Sequence, residues 1–312
     1  MFEMRDAIVR QMIFAMENQN VRYLMDMRRG VLVRPDTIPE EERPGESEVM
    51  DPEDRYQPIP QWTSADGFQL MEHFLGELHN PVIRDRLQEI LVSGKRVFRR
   101  FKDAVKEHPE VEKRFYTFKF LEMRRYVFEW YNQLRELSGL EIQELGADEE
   151  LDDLVLTNVS IEEVQHVPAT VITELDRQAF FEAYQAEPEA VTRYLYRRRT
   201  ARLPSPGDAR STLVAAYTPM EDLCGFVWST TDTMDDGTRL DILNQVYVLP
   251  EYRGLGIGSY LVDRTVAVLK GYGSQTILVH LPGTSEPIYG LLERIGFRGV
   301  RRDFLLNLGE EG

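Results

Sequence analysis

Cysteines, long apolar runs and clustered metal ligands are all scarce in this chain of 312 residues. The single cysteine, Cys224, excludes a disulfide framework and fits a reducing compartment, so we expect a cytoplasmic protein. No apolar run approaches the roughly 18 residues of a transmembrane helix, and the N-terminus lacks the pattern of an export signal. Because no cysteines and histidines have metal-site spacing, the sequence predicts no metal.

Basic residues are outnumbered as well. The chain has 37 lysines and arginines against 53 acids, a formal net charge of −16. This excess argues against general affinity for nucleic acid and favours solubility, and we expect no membrane association. The apolar fraction of 42% is enough for ordinary cores, and the length predicts two domains.

The N-terminal half has mainly helical signals around a small β-hairpin. Residues 36–54 hold nine acids and one base among several prolines, a composition typical of a mobile loop. The segments of this half are a helix or strand at 7–16, a hairpin at 23–33, a helix capped by Ser64 and running to about Leu78, a helix begun by Asn80-Pro81, an apolar stripe at 97–105, and a long helix after Pro109.

One stretch of this half is locally basic. Residues 94–135 hold twelve bases and six acids, a local net charge of +6, with aromatic residues between them. Four interpretations stay open: a nucleic-acid surface, a surface for an anionic protein, a partner for the acidic 36–54 segment, and a solvated amphipathic face. A glycine- and acid-containing linker follows at 139–153. We therefore place the domain boundary near residue 148, giving domains 1–147 and 148–312.

The most informative segment runs from Val246 to Tyr260. It predicts a strand ending at Pro250, a glycine-rich turn over Arg253-Gly-Leu-Gly-Ile-Gly258, and a helix from Ser259 to Lys270. Strand, glycine turn and helix form a geometry that binds phosphate groups, because the first helical N–H groups and the helix dipole attract anions. The segment lacks the Gly-Lys-Ser/Thr of a nucleotide-triphosphate loop and the spacing of a dinucleotide fingerprint.

The pattern Arg253-x-x-Gly256-x-Gly258 after Val248-x-Pro250 resembles the acyl-coenzyme A pyrophosphate loop of the GNAT superfamily of N-acetyltransferases. The resemblance covers about residues 150–312. It implies an α+β protein of two domains, an α-rich N-terminal domain and a GNAT-like mixed β-sheet flanked by helices. The segments that fit this order are strands at 154–159, 212–217, 223–229, 275–280 and 304–308, two helices within 161–202, and a helix at 286–295 capped by Ser285.

The resemblance also implies an activity. It suggests an acyltransferase that moves an acetyl group from acetyl-coenzyme A, as cosubstrate, to a primary amine of a small molecule or protein. A backbone N–H of the strand would contact the thioester carbonyl, and the loop amides would bind the pyrophosphate. The cofactor-binding residues are then Val246, Tyr247, Val248, Arg253, Gly254, Leu255, Gly256, Ile257, Gly258, Ser259 and Tyr260. A homodimer is the base-rate expectation for its assembly.

The chain departs from the family pattern at the positions of the catalytic acid and the catalytic base. The family's tail pattern, anchored on Gly296-Phe297, places Leu292 where a tyrosine protonates the leaving thiolate. Tyr289, one turn earlier, is the candidate catalytic acid; it could instead be a core residue or contact the acceptor. For the base, Asn244 stands where such enzymes often have a carboxylate. Asp241 is either a base or a solvated strand-end acid, and His280 is either a proton shuttle or a half-buried residue with no catalytic role. A water chain to solvent is the third possibility.

Leu292 also motivates an alternative function, an acyl-coenzyme A-binding regulatory protein with a degenerate active site. The N-terminal half resembles a bacterial family of uncharacterised proteins over about residues 7–136. The residues that carry this similarity include Ile13-Phe-Ala-Met-Glu17, Tyr56-Gln-Pro-Ile-Pro60 and Phe98-Arg-Arg-Phe-Lys-Asp103. This family supplies no activity, so the domain could select the acceptor or serve as an interaction module.

Overall fold

The computed structural model describes residues 1–43, 54–144, 159–164, 168–280 and 286–299. The predicted domain boundary near 148, the strand at 304–308, the cap Ser285 and most of the strand at 154–159 lie outside these residues. The chain forms two compact units. The first comprises residues 1–160 with the segments 217–224 and 249–255, and the second comprises 161–216, 225–248 and 256–312.

The first unit is helix-rich with a small sheet, which confirms the predicted fold class of this half. Its helices are α1 (Asp6–Glu17), α2 (Ser64–Glu77), α3 (Pro81–Val92), α4 (Val97–Lys106) and α5 (Pro109–Leu137). Its strands are β1 (Leu24–Asp26), β2 (Val31–Val33) and β3 (Tyr56–Pro58), in the order β2-β1-β3. The hairpin prediction was correct but missed β3, which pairs with β1 antiparallel.

Helix α5 organises the first unit. At 29 residues it is about 43 Å long. Its first turns pack Phe115 into a cluster built by α2, α3 and α4, and its later turns pack Met123, Val127 and Tyr131 against α1 and β1. One continuous helix therefore joins two apolar cores.

Local capping signals explain two of the helix starts. Asn80 accepts hydrogen bonds from the N–H groups of Val82 and Ile83, as the cap-then-proline prediction required. The prediction of Ser64 as the α2 cap was wrong. Thr63 is the cap, and it forms a capping box with Asp66. Within the acidic segment 36–54, the structure describes short 3-10 turns at Pro35–Thr37 and Glu40–Glu42, and residues 44–53 lie outside its description.

The second unit contains most of a five-stranded sheet with helices, the mixed sheet expected from the sequence. Its strands are β4 (Ser160–Glu163), β5 (Ser211–Tyr217), β6 (Leu223–Thr233), β7 (Arg239–Val248) and β8 (Thr276–Val279), in sequential order. Its helices are α6 (Ala169–Ala183), α7 (Glu189–Thr200), α8 (Ile257–Gly271) and α9 (Glu286–Ile295). β6 and β7 are antiparallel, whereas β7 and β8 are parallel, as the crossover through α8 requires. No helix among the described residues has the length and apolarity to cross a membrane.

Candidate functional site

The C-terminal end of β7 carries three of the predicted site residues. The N–H of Leu249 donates to the carbonyl of Cys224 at 3.0 Å, across to β6. Successive N–H groups of an antiparallel strand alternate between its two edges. The N–H of Tyr247 therefore faces β6, whereas the N–H groups of Val246 and Val248 point to the opposite edge.

That opposite edge is open at Val246 among the described residues. β8 pairs with β7 only from Leu240 to Leu243, and the N–H of His280 then donates to the Leu243 carbonyl at 2.9 Å. Beyond this point no described strand continues the pairing with β7. An open strand edge offers N–H and C=O groups that an extended, amide-bearing ligand can pair with.

A β-bulge bends β7 just before this edge. Gln245 lies opposite Trp228 and Leu243 lies opposite Ser229, so Asn244 is the extra residue. The bulge is therefore two residues before Val246, the first residue at which the family resemblance implied a carbonyl contact. An extra residue of this kind re-aims the backbone groups that follow it.

Two helices hold the bulge in place. Arg199 of α7 donates to the main-chain carbonyl of Asn244 at 2.9 Å. Its guanidinium is bound by both carboxylate oxygens of Asp176 of α6, at 2.7 and 2.9 Å. Asp176 is only 1% exposed, so this is a buried, bidentate ion pair. Sequence reasoning missed the pair, because neither residue lies in a motif.

The side chain of Tyr247 is held by contacts to β6 and α6. Its ring packs edge-on against Phe226, with centroids 6.2 Å apart, and its hydroxyl donates to the carboxylate of Glu182 at 3.1 Å. This brings a half-buried carboxylate of α6 to β7. The sequence analysis did not single out Glu182, and only the tertiary structure pairs it with Tyr247.

The glycine segment after β7 adopts the conformation that its glycines allow. A 3-10 turn at Pro250–Tyr252 follows the strand. Gly254 and Gly256 have φ angles of +87° and +85°, a region that favours glycine. The helix then starts at Ile257, two residues earlier than predicted from Ser259. A Cβ at Gly258 would lie 3.7 Å from Val248 Cγ2, an ordinary contact, so packing does not require that glycine.

The segment presents a run of backbone donors. Among the described residues, the N–H groups of Gly254, Leu255, Gly256, Ile257 and Gly258 have no hydrogen-bond acceptor. The first N–H groups of a helix have no partner within the helix, and the dipole of the 15-residue α8 adds partial positive charge there. Such a run suits the oxygens of a phosphate or pyrophosphate.

The predicted helix at 286–295 is present as α9. The two positions considered for the catalytic acid differ in their exposure on this helix. Leu292 is buried, whereas Tyr289 is 50% exposed. The interpretation of Tyr289 as a core residue is therefore disfavoured. The role of Tyr289 as an acid remains a prediction.

The candidate bases have different surroundings. Asp241 was interpreted as a solvated strand-end acid or a base, but it is buried and bonded to Arg239 and Thr231 at 2.8 and 2.6 Å. Burial raises its pKa, but hydrogen bonds from Arg239, Thr231 and Ser274 outweigh burial, and the pKa lies below its ordinary value. These bonds indicate a structural role. Asn244 donates its amide to the Thr230 hydroxyl at 2.9 Å.

His280 and Cys224 are the two remaining titratable residues that the sequence brought into question. His280 directly follows β8, as predicted, but it is exposed and not half-buried. Cys224 is fully buried, and burial raises the pKa of its thiol to about 12. A neutral buried thiol is a poor nucleophile. Cys224 is therefore a structural residue of β6.

Each half of the chain matches the model of a different protein family. Residues 170–297 match the model of the acetyltransferase (GNAT) family. Residues 6–155 match the uncharacterised protein family UPF0158. Both resemblances stated from the sequence are confirmed.

Individual relatives match only part of the chain. A mycothiol acetyltransferase of Propionibacterium freudenreichii subsp. shermanii is 30% identical over 94 residues, covering 29% of this chain and 29% of the relative. The structure of a ribosomal-protein-alanine N-acetyltransferase from Brucella melitensis covers 48% of this chain and 99% of that chain at 17% identity, with a TM-score of 0.32. An aminoglycoside acetyltransferase from an uncultured soil sample has the same coverage at 16% identity, with a TM-score of 0.34.

Proposed function

Because residues 170–297 form a domain of the acetyltransferase (GNAT) family, we propose that the protein moves an acetyl group from acetyl-coenzyme A to a primary amine. The observation that carries the proposal is the run of N–H groups from Gly254 to Gly258 that lack an acceptor among the described residues. These donors fit the pyrophosphate of the cosubstrate. The open edge at Val246 fits the amides of its pantetheine arm.

The chemistry is an acyl transfer between sulfur and nitrogen. The amine nitrogen attacks the thioester carbonyl, the new C–N bond forms, the C–S bond breaks, and one proton leaves the amine while another joins the thiolate. An N–H aimed at the carbonyl oxygen stabilises the negative charge that develops there. The N–H of Tyr247 faces β6, so we assign this donor to Val246, at the open edge of β7. Tyr289 is our candidate for protonating the thiolate.

The acceptor stays open between a small molecule and a protein. The mycothiol acetyltransferase similarity spans 29% of that relative, so its substrate is not transferred to this chain. A second function is favoured by one observation. Leu292 is buried where the family pattern has its proton-donating tyrosine, so the domain could bind acyl-coenzyme A as a sensor without turnover.

Calorimetric titration with acetyl-coenzyme A, followed by thiol release with a panel of amines, tests the proposal. Gly256→Glu should abolish binding, because it forces a side chain and a negative charge into a position with φ of +85°. Gly271→Glu is the matched control. It adds the same side chain at the other end of α8, where a Cβ meets no atom within 4 Å.

The expected result is that the parent and Gly271→Glu bind equally while Gly256→Glu does not. Turnover with any amine then supports the transferase, and binding without turnover across the panel supports the sensor. Normal affinity in Gly256→Glu would contradict the assignment of the loop.

A further inference from the structure

The segment that leads into the glycine loop is packed within the first unit. This unit includes residues 249–255 as well as the N-terminal half of the chain. Tyr252, at the centre of that segment, is only 2% exposed. Its ring lies 6.2 Å from the ring of Phe14 of α1, and its hydroxyl accepts a hydrogen bond from Arg34 at 2.5 Å. Burial is the main cause that raises the pKa of Tyr252, so the phenol stays neutral.

A second contact holds the next residue by its backbone. The side-chain amide of Asn20 donates to the carbonyl of Arg253 at 3.0 Å. Asn20 is itself oriented, because its N–H donates to the side chain of Asn18 at 3.0 Å. Arg253 directly precedes Gly254, the first residue of the N–H run. The N-terminal half thus contacts the loop entrance through a side chain on one residue and the main chain on the next.

Local hydrogen bonds alone hold the conformation of segment 249–255 only weakly. Two backbone hydrogen bonds define its 3-10 turn, Tyr252 to Leu249 at 2.9 Å and Arg253 to Pro250 at 3.3 Å. Such short turns have poor hydrogen-bond geometry and depend on their surroundings. A loop that must present several N–H groups to one ligand binds it more weakly when the free loop samples other conformations.

We propose that Asn20 and Arg34 are positioning residues for the coenzyme A loop, and that the UPF0158-like half serves to preorganise it. The inference rests on the proposed function, since it assigns the loop a coenzyme ligand. It gives the N-terminal half a role in cosubstrate binding, where no activity is known for its family. The side chains act through Tyr252 and the Arg253 carbonyl, without contacting the ligand themselves.

Hydrogen exchange and calorimetry on the full-length protein test this role. Asn20→Ala removes the bond to Arg253, and Gln19→Ala is its matched control, an exposed neighbour whose amide bonds to the Trp62 carbonyl instead. Tyr252→Phe removes the hydroxyl that accepts from Arg34. Its control, Tyr56→Phe, removes a buried tyrosine hydroxyl that bonds to Glu42.

Asn20→Ala and Tyr252→Phe should each take up deuterium faster than the parent in a peptide covering residues 249–255 of the free protein. They should also bind acetyl-coenzyme A about three- to tenfold more weakly, the usual effect of one hydrogen bond. The controls should match the parent in both measurements. Arg34→Lys, which retains a donor, should restore part of the affinity that Arg34→Met loses.

The outcomes are separable from those of the proposed function. If the parent does not bind acetyl-coenzyme A, the proposed function fails, and this inference fails with it as a statement about coenzyme binding, whatever the exchange result. If the parent binds but the variants exchange and bind like their controls, only the positioning role is overturned. Faster exchange with unchanged affinity also overturns it, since the contacts would then serve stability alone.

Discussion

At the scale of single residues, the exposure of Tyr289 makes its chemistry testable. Half of the side chain is exposed, while Leu292 one turn on is buried. If Tyr289 protonates the thiolate, Tyr289→Phe should lower kcat about a hundredfold, the lower end for a general acid, because a thiolate leaves tolerably without a proton. Binding of acetyl-coenzyme A should not change. Steady-state thiol release and calorimetry measure the two quantities.

A matched control is available on α7. Tyr194 is exposed to a similar degree, at 52%, and Tyr194→Phe should leave kcat unchanged. A rise in the KM for the amine at constant kcat would instead show that Tyr289 contacts the acceptor. A parent-like enzyme would remove Tyr289 from the mechanism altogether.

At the scale of elements, the Asp176–Arg199 ion pair joins α6 to α7, and Arg199 also donates a hydrogen bond to the Asn244 carbonyl of β7. Asp176→Asn leaves the Arg199 guanidinium mostly buried without its counter-ion. We expect a loss of about 3 to 5 kcal/mol in the free energy of unfolding, as for other broken buried pairs. Urea denaturation measures the loss.

The control for this prediction lies on the same helix. Glu174 forms an exposed ion pair with Arg177 at 2.7 Å, and Glu174→Gln should leave the denaturation curve unchanged. Equal curves for Asp176→Asn and Glu174→Gln would show that the buried pair does not stabilise the attachment of these helices to the strand.

At the scale of the whole molecule, each unit contains a buried carboxylate that makes folding sensitive to acid. Burial raises the pKa of Asp26, but bonds from Arg55 and from the N–H groups of Arg28 and Arg29 outweigh it and lower the pKa, as similar bonds do for Asp241. The stability that these groups contribute is complete above their ordinary pKa of 3.8 and is lost as pH falls through the lower folded-state pKa.

Unfolding free energy should therefore change little from these two groups between pH 7 and pH 5, and fall below pH 3.8. Asp26→Asn and Asp241→Asn should each be less stable than the parent at neutral pH and lose less on acidification. Urea denaturation at a series of pH values checks this. A double variant with the same acid dependence as the parent would contradict it.

Local signals made much of the architecture predictable. Asn80-Pro81 marks the start of α3 because the cap and the fixed φ of proline act within one turn. The strand, glycine turn and helix from Val246 onward are equally local, and so is α9. By contrast, Thr63 rather than Ser64 caps α2, since neighbouring hydroxyl residues give the same signal and the reciprocal bond to Asp66 decides between them.

The sequence by itself determined the local conformation of the glycine loop, because positive φ angles at Gly254 and Gly256 and the N–H groups at the start of α8 are properties of adjacent residues. Only the tertiary structure decided what surrounds it. The Asn244 bulge, the Arg199 contact to it and the anchoring of Tyr252 and Arg253 join residues far apart in the chain. Such contacts leave no periodicity or spacing in the sequence, since they depend on which elements pack together once the chain has folded.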